Sequence, residues 1–481
     1  MTHTTPLGDP IGVPVPDWSP CPVPPRATLE GRFVRVEPIS AERHGKDLFE
    51  AFRLDPEGAN WTHRMNGPYR TQEELDAWLR QIELKSDMLY FAYIDKATGK
   101  AVGNGAYMSI APGAGSIEVG SIMFSPAMQR SPVGTEAMFL KMQQAFRLGY
   151  RRYEWTCDPL NAASMGAAER FGFSYEALFR QAYVTKGRNR DKAIFSVLDR
   201  EWPTLEEAYQ KWLTPDNFDS EGQQKTALRD LTAPLVSARS QVKPGAEINA
   251  LGQPVDVVVP GWTPPPGPTR MNLEGRYCRL EPLHIDHAEA LYAAHGQDAE
   301  GRNWTYLPAG PYETFEGYRD WVWEAAASPD PMHYTIITDK GPVGTASLLR
   351  IAPQDGSIEV GYITYSPLLQ RTRASTEAMF LMMQWAFEAG YRRYEWKCND
   401  LNKPSRDAAQ RLGLSYEGVF RQAQIVKGGN RDTAWYAAVD SEWPALKAAF
   451  ETWLDPANFD ADGRQKQSLS ALTRPILVAT G

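Results

Sequence analysis

Ser116-Ile117-Glu118-Val119-Gly120-Ser121-Ile122-Met123-Phe124 returns 241 residues later as Ser357-Ile358-Glu359-Val360-Gly361-Tyr362-Ile363-Thr364-Tyr365. Extending outward, residues 116–164 match 357–405 at 31 of 49 positions without a gap. Chance does not produce that. Trp18 pairs with Trp262, Gly31-Arg32 with Gly275-Arg276, Trp202-Pro203 with Trp443-Pro444, and Asn217-Phe218-Asp219 with Asn458-Phe459-Asp460. A period near 240 residues is domain-sized, not solenoid-sized. The chain therefore reads as one domain written twice, residues 1–240 and 241–481, joined by a polar linker from Ser237 to Asn249. A Pro-rich arm precedes each copy and is expected to cover the partner domain.

Composition narrows the function. With 51 Lys+Arg against 59 Asp+Glu the net charge is −8, which gives no basic footprint for duplex nucleic acid. The 4 Cys show no metal-ligand spacing, and Cys157 and Cys398 fall on one strand position as core thiols. The 7 His form no metal constellation. Neither a signal-like N-terminus nor a run of 18 apolar residues occurs, so no membrane span and a cytoplasmic protein are expected.

Hydrophobic periodicity gives an α/β (α+β) order in each copy. In the first, Arg32 to Glu37 is predicted as a strand, 41–53 and 72–84 as helices, and 88–94, 101–110 and 116–124 as a meander. A helix from Thr135 to Gly149, a strand 152–157, a helix 162–171, two strands and a terminal helix after Pro203 complete it. The sheet is expected to be mixed and mostly antiparallel, and the two copies to form a monomeric pseudo-dimer.

Three features could carry chemistry. Strand alternation puts Glu118 on the face of Gly120, Ile122 and Phe124, where a carboxylate has a raised pKa and can act as a base, or is simply paired structurally; Glu359 repeats it. The loop Gln129-Arg130-Ser131-Pro132-Val133-Gly134-Thr135 opens a helix whose free N–H groups favour a phosphate, or is an ordinary helix entrance. Asn161 with Ser164, repeated as Asn402 with Ser405, starts the next helix and reads first as capping.

Their order resembles the GNAT superfamily of acyl-CoA-dependent N-acyltransferases, in particular its RimJ/RimL-like branch. The resemblance rests on Leu369-Gln370-Arg371-Thr372, Thr376-Glu377-Ala378 and Asp158-Pro159-Leu160-Asn161, and covers almost the whole chain twice. It implies Glu118 and Glu359 as general bases, with Ser164 and Ser405 beside the leaving thiolate. Gln129, Arg130, Gly134, Thr135 and Asn161 would hold the donor in one copy; Gln370, Arg371, Arg373, Ser375, Thr376 and Asn402 would do so in the other. The acceptor wall would include Asn60, Trp61 and His63, and Asn303, Trp304, Tyr306 and Arg350. A tyrosine acid four residues before the helix-ending Gly is replaced by Ala168 and Ala409. The family's Gln-x-x-Gly-x-Gly loop is altered by Pro132, Arg373 and Ser375, so the implied donor is either acyl-CoA held by arginines or the phosphopantetheine of an acyl carrier protein. The implied acceptor is a small-molecule amine, as in natural-product biosynthesis. The alternatives are a protein N-terminus, as in ribosomal-protein acetyltransferases, or a non-catalytic scaffold binding acyl thioesters.

Overall fold

The computed structural model describes residues 3–220, 222–240 and 247–481. Six residues of the expected linker, 241–246, and with them the start of the expected second domain, lie outside the described residues.

In the N-terminal half the main strands are β1 (Leu29–Glu30), β2 (Val34–Pro38), β3 (Leu89–Asp95), β4 (Ala101–Ala111), β5 (Ser116–Phe124), β6 (Arg152–Cys157), β7 (Ser174–Thr185) and β8 (Arg188–Leu198). Its helices are α1 (Ala41–Phe52), α2 (Gln72–Glu83), α3 (Pro132–Arg147), α4 (Ala162–Arg170), α5 (Trp202–Leu213) and α6 (Leu228–Thr232). The C-terminal half repeats them as β9 (Leu273–Glu274), β10 (Arg279–Pro282), β11 (Met332–Thr338), β12 (Gly341–Ala352), β13 (Ser357–Tyr365), β14 (Arg393–Asn399), β15 (Ser415–Val426) and β16 (Gly429–Val439). The matching helices are α7 (Ala288–His295), α8 (Phe315–Ala327), α9 (Arg373–Glu388), α10 (Lys403–Arg411), α11 (Trp443–Leu454) and α12 (Leu469–Thr473).

Helix α3 starts three residues before the expected Thr135, because Pro132 occupies its first turn, where a fixed φ suits the helix and a missing N–H is not needed. Glu136 then locks the helix to the sheet: its carboxylate accepts the N–H groups of Arg32, Phe33 and Val34 at 2.7, 2.6 and 2.9 Å. Glu377 does the same for Arg276, Tyr277 and Cys278. A Cβ on Gly31 would stand 2.4 Å from Glu136 Oε2, which explains the repeated glycine.

The two halves share one 16-stranded sheet of palindromic order, β9-β10-β11-β12-β13-β14-β16-β15-β7-β8-β6-β5-β4-β3-β2-β1. Only β5 with β6 and β13 with β14 run parallel. The seam joins β7 to β15 at Ala177 and Gly418; a Cβ on Gly418 would lie 2.1 Å from Glu176 O, so only glycine lets the strands meet. Phe179, stacked on Phe420 at 5.4 Å, and Trp435 fill the seam. The larger cores lie under α3 and α5, and under α9 and α11.

The arms cross over as expected. Val15 N donates to Gly428 O and Asn430 N to Val13 O, which sets the first arm on the β15–β16 hairpin. The second arm sits on the β7–β8 hairpin through Asn189 N to Val257 O and Val259 N to Gly187 O.

Candidate active site

Strand β5 contains the device that opens the site. Ser121 has φ 49°, and its ladder to β4 slips between Asn104 and Ala106, a bulge that turns the strand. The bulge corrects the simple alternation expected for Glu118: Ile122 and Phe124 pack with Ile117 and Val119 on the α3 side, while Met123 joins the opposite core. Tyr362, φ 48°, repeats the bulge in β13. Pairing of β5 with β6 ends at Val119 and Trp155, and of β13 with β14 at Val360 and Trp396. Beyond those pairs the parallel strands part and leave a wedge, where side chains rather than the neighbouring strand reach backbone carbonyls: Arg64 those of Ser121 and Ile122, and Ser347 that of Gly361.

Each wedge holds the strand glutamate. Glu118 is buried, and its oxygens accept from Ser109 Oγ at 2.8 Å and Thr156 Oγ1 at 2.6 Å. Glu359, 1% exposed, is held differently. Arg350 Nε and Lys397 Nζ each lie 3.3 Å from its Oε2, at ion-pair distance but without the alignment of a hydrogen bond. Burial pushes the Glu359 carboxyl up to about 7, against the pull of Lys397 and Arg350, with Glu395 adding to the rise.

On the facing side, Asn161 and Asn402 cap α4 and α10 by accepting from Ser164 N at 3.1 Å and Ser405 N at 3.2 Å. Ser164 Oγ and Ser405 Oγ accept from the indoles of Trp155 and Trp396 at 3.2 and 3.1 Å, so each hydroxyl proton is still available to donate. Capping and site lining are thus the same residues. Glu118, Asn161 and Ser164 border one cavity of about 600 Å³, and Glu359, Asn402 and Ser405 one of about 430 Å³.

A second cleft of about 780 Å³ in the N-terminal half shares Asn161 and Ser164 and runs along Gln129, Arg130, Gly134 and Thr135 to Phe218. Ser131 makes no side-chain cap to α3, which leaves its first N–H groups open. In the C-terminal half Thr372 caps α9 through Ser375 N at 3.2 Å. Arg130 and Arg371, with φ 58° and 59°, are exposed in the loop. Arg373 instead stacks 3.9 Å over Phe459, and Ser375 Oγ donates to Thr372 O. Two residues the sequence reading passed over are Arg170 and Arg411, which donate to Thr135 Oγ1 and Thr376 Oγ1 at 3.2 and 3.1 Å. Their identity in both copies was the available signal.

The acceptor-side residues separate into two kinds. Asn60 and Asn303 accept from Gln129 and Gln370, whose Nε2 atoms also reach Phe124 O and Tyr365 O. Those glutamines therefore tie the acceptor loop to the bulged strand. Trp61 and Trp304 are buried in the small cores around α1–α2 and α7–α8, and Trp304 is absent from its site cavity's wall. His63 Nδ1 lies 3.2 Å from Asp158 Oδ2, and Tyr306 Oη donates to Pro10 O of the crossed arm at 2.8 Å. Arg350 acts on Glu359 and Glu395 and does not border the cavity.

A bulged central strand parting from a parallel neighbour, a helix entrance beside it and an Asn–Ser cap opposite are matched by a known sequence family. The model of the acetyltransferase (GNAT) domain fits residues 34–174 and again 278–415, more than half of the chain. The chain belongs to the GNAT acetyltransferase family. It carries the domain twice and is an N-acyltransferase. A GCN5-related N-acetyltransferase from Brucella melitensis is 45% identical over 45% of this chain and 100% of its own, with a TM-score of 0.44. A GNAT-family protein from Chromobacterium violaceum is 39% identical over 42% of this chain and 98% of its own, TM-score 0.38. A Salmonella typhimurium acetyltransferase that modifies the N-terminal serine of a 50S ribosomal subunit protein is 20% identical over 35% and 99%, TM-score 0.32. No curated protein matches the sequence. Among the described residues no group of three or more His, Cys, Asp or Glu could hold a metal, and no helix is long and apolar enough to cross a membrane.

Proposed function

We propose that the protein, organised as domains 1–240 and 241–481, moves an acyl group from the pantetheine thioester of acyl-CoA to a small-molecule amine. Glu359 is the general base of the C-terminal domain and Glu118 of the N-terminal one. The observation that carries the reading is the buried Glu359, raised to about 7, in one cavity with Asn402 and Ser405. A base of that pKa is partly ionised and still basic at neutral pH.

The chemistry asks for such a base. Only the neutral amine attacks; at pH 7 deprotonating a lysine-like amine costs about 4.6 kcal/mol, and an α-amine near 8 about 1.3 kcal/mol. The donor supplies an electrophilic thioester carbonyl, which backbone N–H groups of the bulged strand beyond the end of its parallel ladder would polarise. Asn161 and Asn402 would hold the pantetheine arm, and the free hydroxyl protons of Ser164 and Ser405 would go to the departing sulfur. A thiolate with a pKa near about 8.5 needs less help than the ammonium. Arg130, Arg170 and the uncapped start of α3 are suited to a pyrophosphate, which favours CoA over a carrier-bound pantetheine.

Confinement favours a small acceptor over a peptide. Gly113 and Ala114 of the N-terminal half border the C-terminal cavity, and the first arm lies on Tyr306. Incubating the full chain with acetyl-CoA, or with an acetylated carrier protein, and pooled amines, followed by mass spectrometry, tests this. Product from acetyl-CoA, lost in the Glu118→Gln, Glu359→Gln double variant, is expected; product from the carrier alone would reassign the donor, and no product from either would overturn the reading.

A further inference from the structure

Arg64 and Arg190 face the N-terminal site cavity, and each carries a buried N–H without a partner: Nε of Arg64 and Nη1 of Arg190. The Arg64 guanidinium lies 5.7 Å over the Trp61 ring, and its hydrogen bonds go to backbone. It donates to Ser121 O at 3.3 Å and to Ile122 O, at the β5 bulge three residues beyond Glu118. Among the described residues no carboxylate pairs with it at ion-pair distance. Arg190 comes no nearer to an acid than 4.0 Å, to Asp158, whose Oδ2 also faces His63.

A guanidinium stays protonated in a protein, so an unneutralised one set away from water is costly until an anion meets it. Burial lowers Arg64 to about 10, and the charge of Arg190 adds to the effect. Two forks with open donors in one cavity match the paired oxygens of a carboxylate or phosphate. The C-terminal copy lacks the arrangement: Leu307 stands in the place of Arg64, Tyr306 in that of His63 and Asn399 in that of Asp158. Its cavity keeps Arg431, the counterpart of Arg190 and likewise with a buried N–H (Nε) lacking a partner, but it has no second guanidinium on its wall and is otherwise bordered by Leu349, Ile363, Ile425 and Val426 beside Glu359 and Lys397.

We propose that the N-terminal half accepts an amine that also bears an anionic group, a carboxylate or a phosphate monoester, seated on Arg64 and Arg190 while the amine meets Glu118. This rests on the acyl-transfer reading of the same site and names its substrate class. The two halves then serve different acceptors, the C-terminal one having Arg431 but no second fork to complete an anion seat.

Calorimetric titration of the full chain without acyl donor tests it with two pairs of ligands, β-alanine against β-alaninamide and phosphoethanolamine against ethanolamine. The anionic member of at least one pair is expected to bind tenfold or more tighter, at one site per chain. The pair that shows the preference identifies carboxylate or phosphate. R64L, which installs the residue of the other copy, should abolish the preference, and R64K should keep part of it. Equal binding within both pairs, or an undiminished preference in R64L, would overturn the proposal; if R64L does not fold, the wild-type comparison decides. Because binding is read without donor, a failure to form amide on adding acetyl-CoA counts against acyl transfer and not against the anion seat.

Discussion

Arg421 of the C-terminal half donates Nε to Glu176 Oε1 of the N-terminal half at 2.8 Å, and Arg180 stands 3.4 Å from Glu417 in the reciprocal position. The Glu176 side chain, 2% exposed, also meets Arg152 at 2.7 Å and Ser196 Oγ at 2.7 Å; the Glu417 side chain, 1% exposed, meets Arg393 at 2.6 Å. Burial opposes ionisation of Glu176, but Arg152 and Arg421 hold its pKa below the usual value. The seam is therefore closed by reciprocal ionic clusters as well as by Phe179, Phe420 and Trp435.

Truncating one member leaves its partners charged and buried. Arg421→Met is expected to cost about 3 kcal/mol, the low end for a broken buried pair because Arg152 still faces Glu176. Guanidinium unfolding of both proteins at pH 7 measures it. An unchanged midpoint would show that the cluster adds nothing to the seam.

Lys141 is a second buried ionisable group, without a hydrogen-bond or carboxylate partner among the described residues. It is fully buried on α3, its Nζ lies 4.5 Å from the Tyr107 ring centroid, and burial depresses its pKa well below normal. Met382 occupies the equivalent place in the other copy. Lys141→Met should therefore stabilise the N-terminal half by about 2 kcal/mol or more. Between the depressed folded pKa and the unfolded value near about 10.4 the unfolded state binds more protons, so stability rises with pH, and the variant should lose that slope. Denaturant melts at pH 7 and 9 compare the two.

The C-terminal half carries its own pH liability. His295 and His333 are buried against aromatic rings, and burial lowers both to about 4. Phe52 and Tyr90 take their places in the first copy. As pH falls below about 6.5 the unfolded chain gains protons the folded histidines refuse, so stability drops until about pH 4, by roughly 2 kcal/mol per histidine at pH 5. His295→Phe should raise the melting temperature at pH 5 more than at pH 8. Equal gains at both values would rule out this titration.

The duplication, the strand bounds 116–124 and 152–157 and the crossing of the arms were legible because a repeated pattern filters out residues tied to one copy. The bulge at Ser121 was not, since a positive φ on a serine has no local sequence mark, and it moved Ile122 and Phe124 to the opposite face from Glu118. Trp61 and Trp304 were ambiguous for another reason: a Trp between Asn and Thr fits a pocket wall and a small core equally, and only burial separates them. Arg170 was passed over because its meaning lies in a contact more than thirty residues away, with Thr135 Oγ1.

The two glutamates offer the sharpest test of mechanism, because the same residue is held by two hydroxyls in one copy and by two cations in the other. Glu359 must lose its proton before it can take one, so C-terminal turnover should climb with pH through about 7 and flatten above it. Glu359→Gln keeps the shape and removes the base; it should abolish most activity together with that inflection. Ser405→Ala should cost less, since a departing thiolate is a weak base and Trp396 remains to support the wall. Glu118→Gln should be milder with an amine that bears no anionic group, because the N-terminal cavity places Arg64 and Arg190 where such an acceptor has nothing to offer them. Rates of thiol release from acetyl-CoA across pH 5.5 to 9 for the wild type and the three variants decide the matter. If Glu118→Gln is the more damaging change, the N-terminal copy does the work for that amine; if the inflection persists in Glu359→Gln, another group is the base.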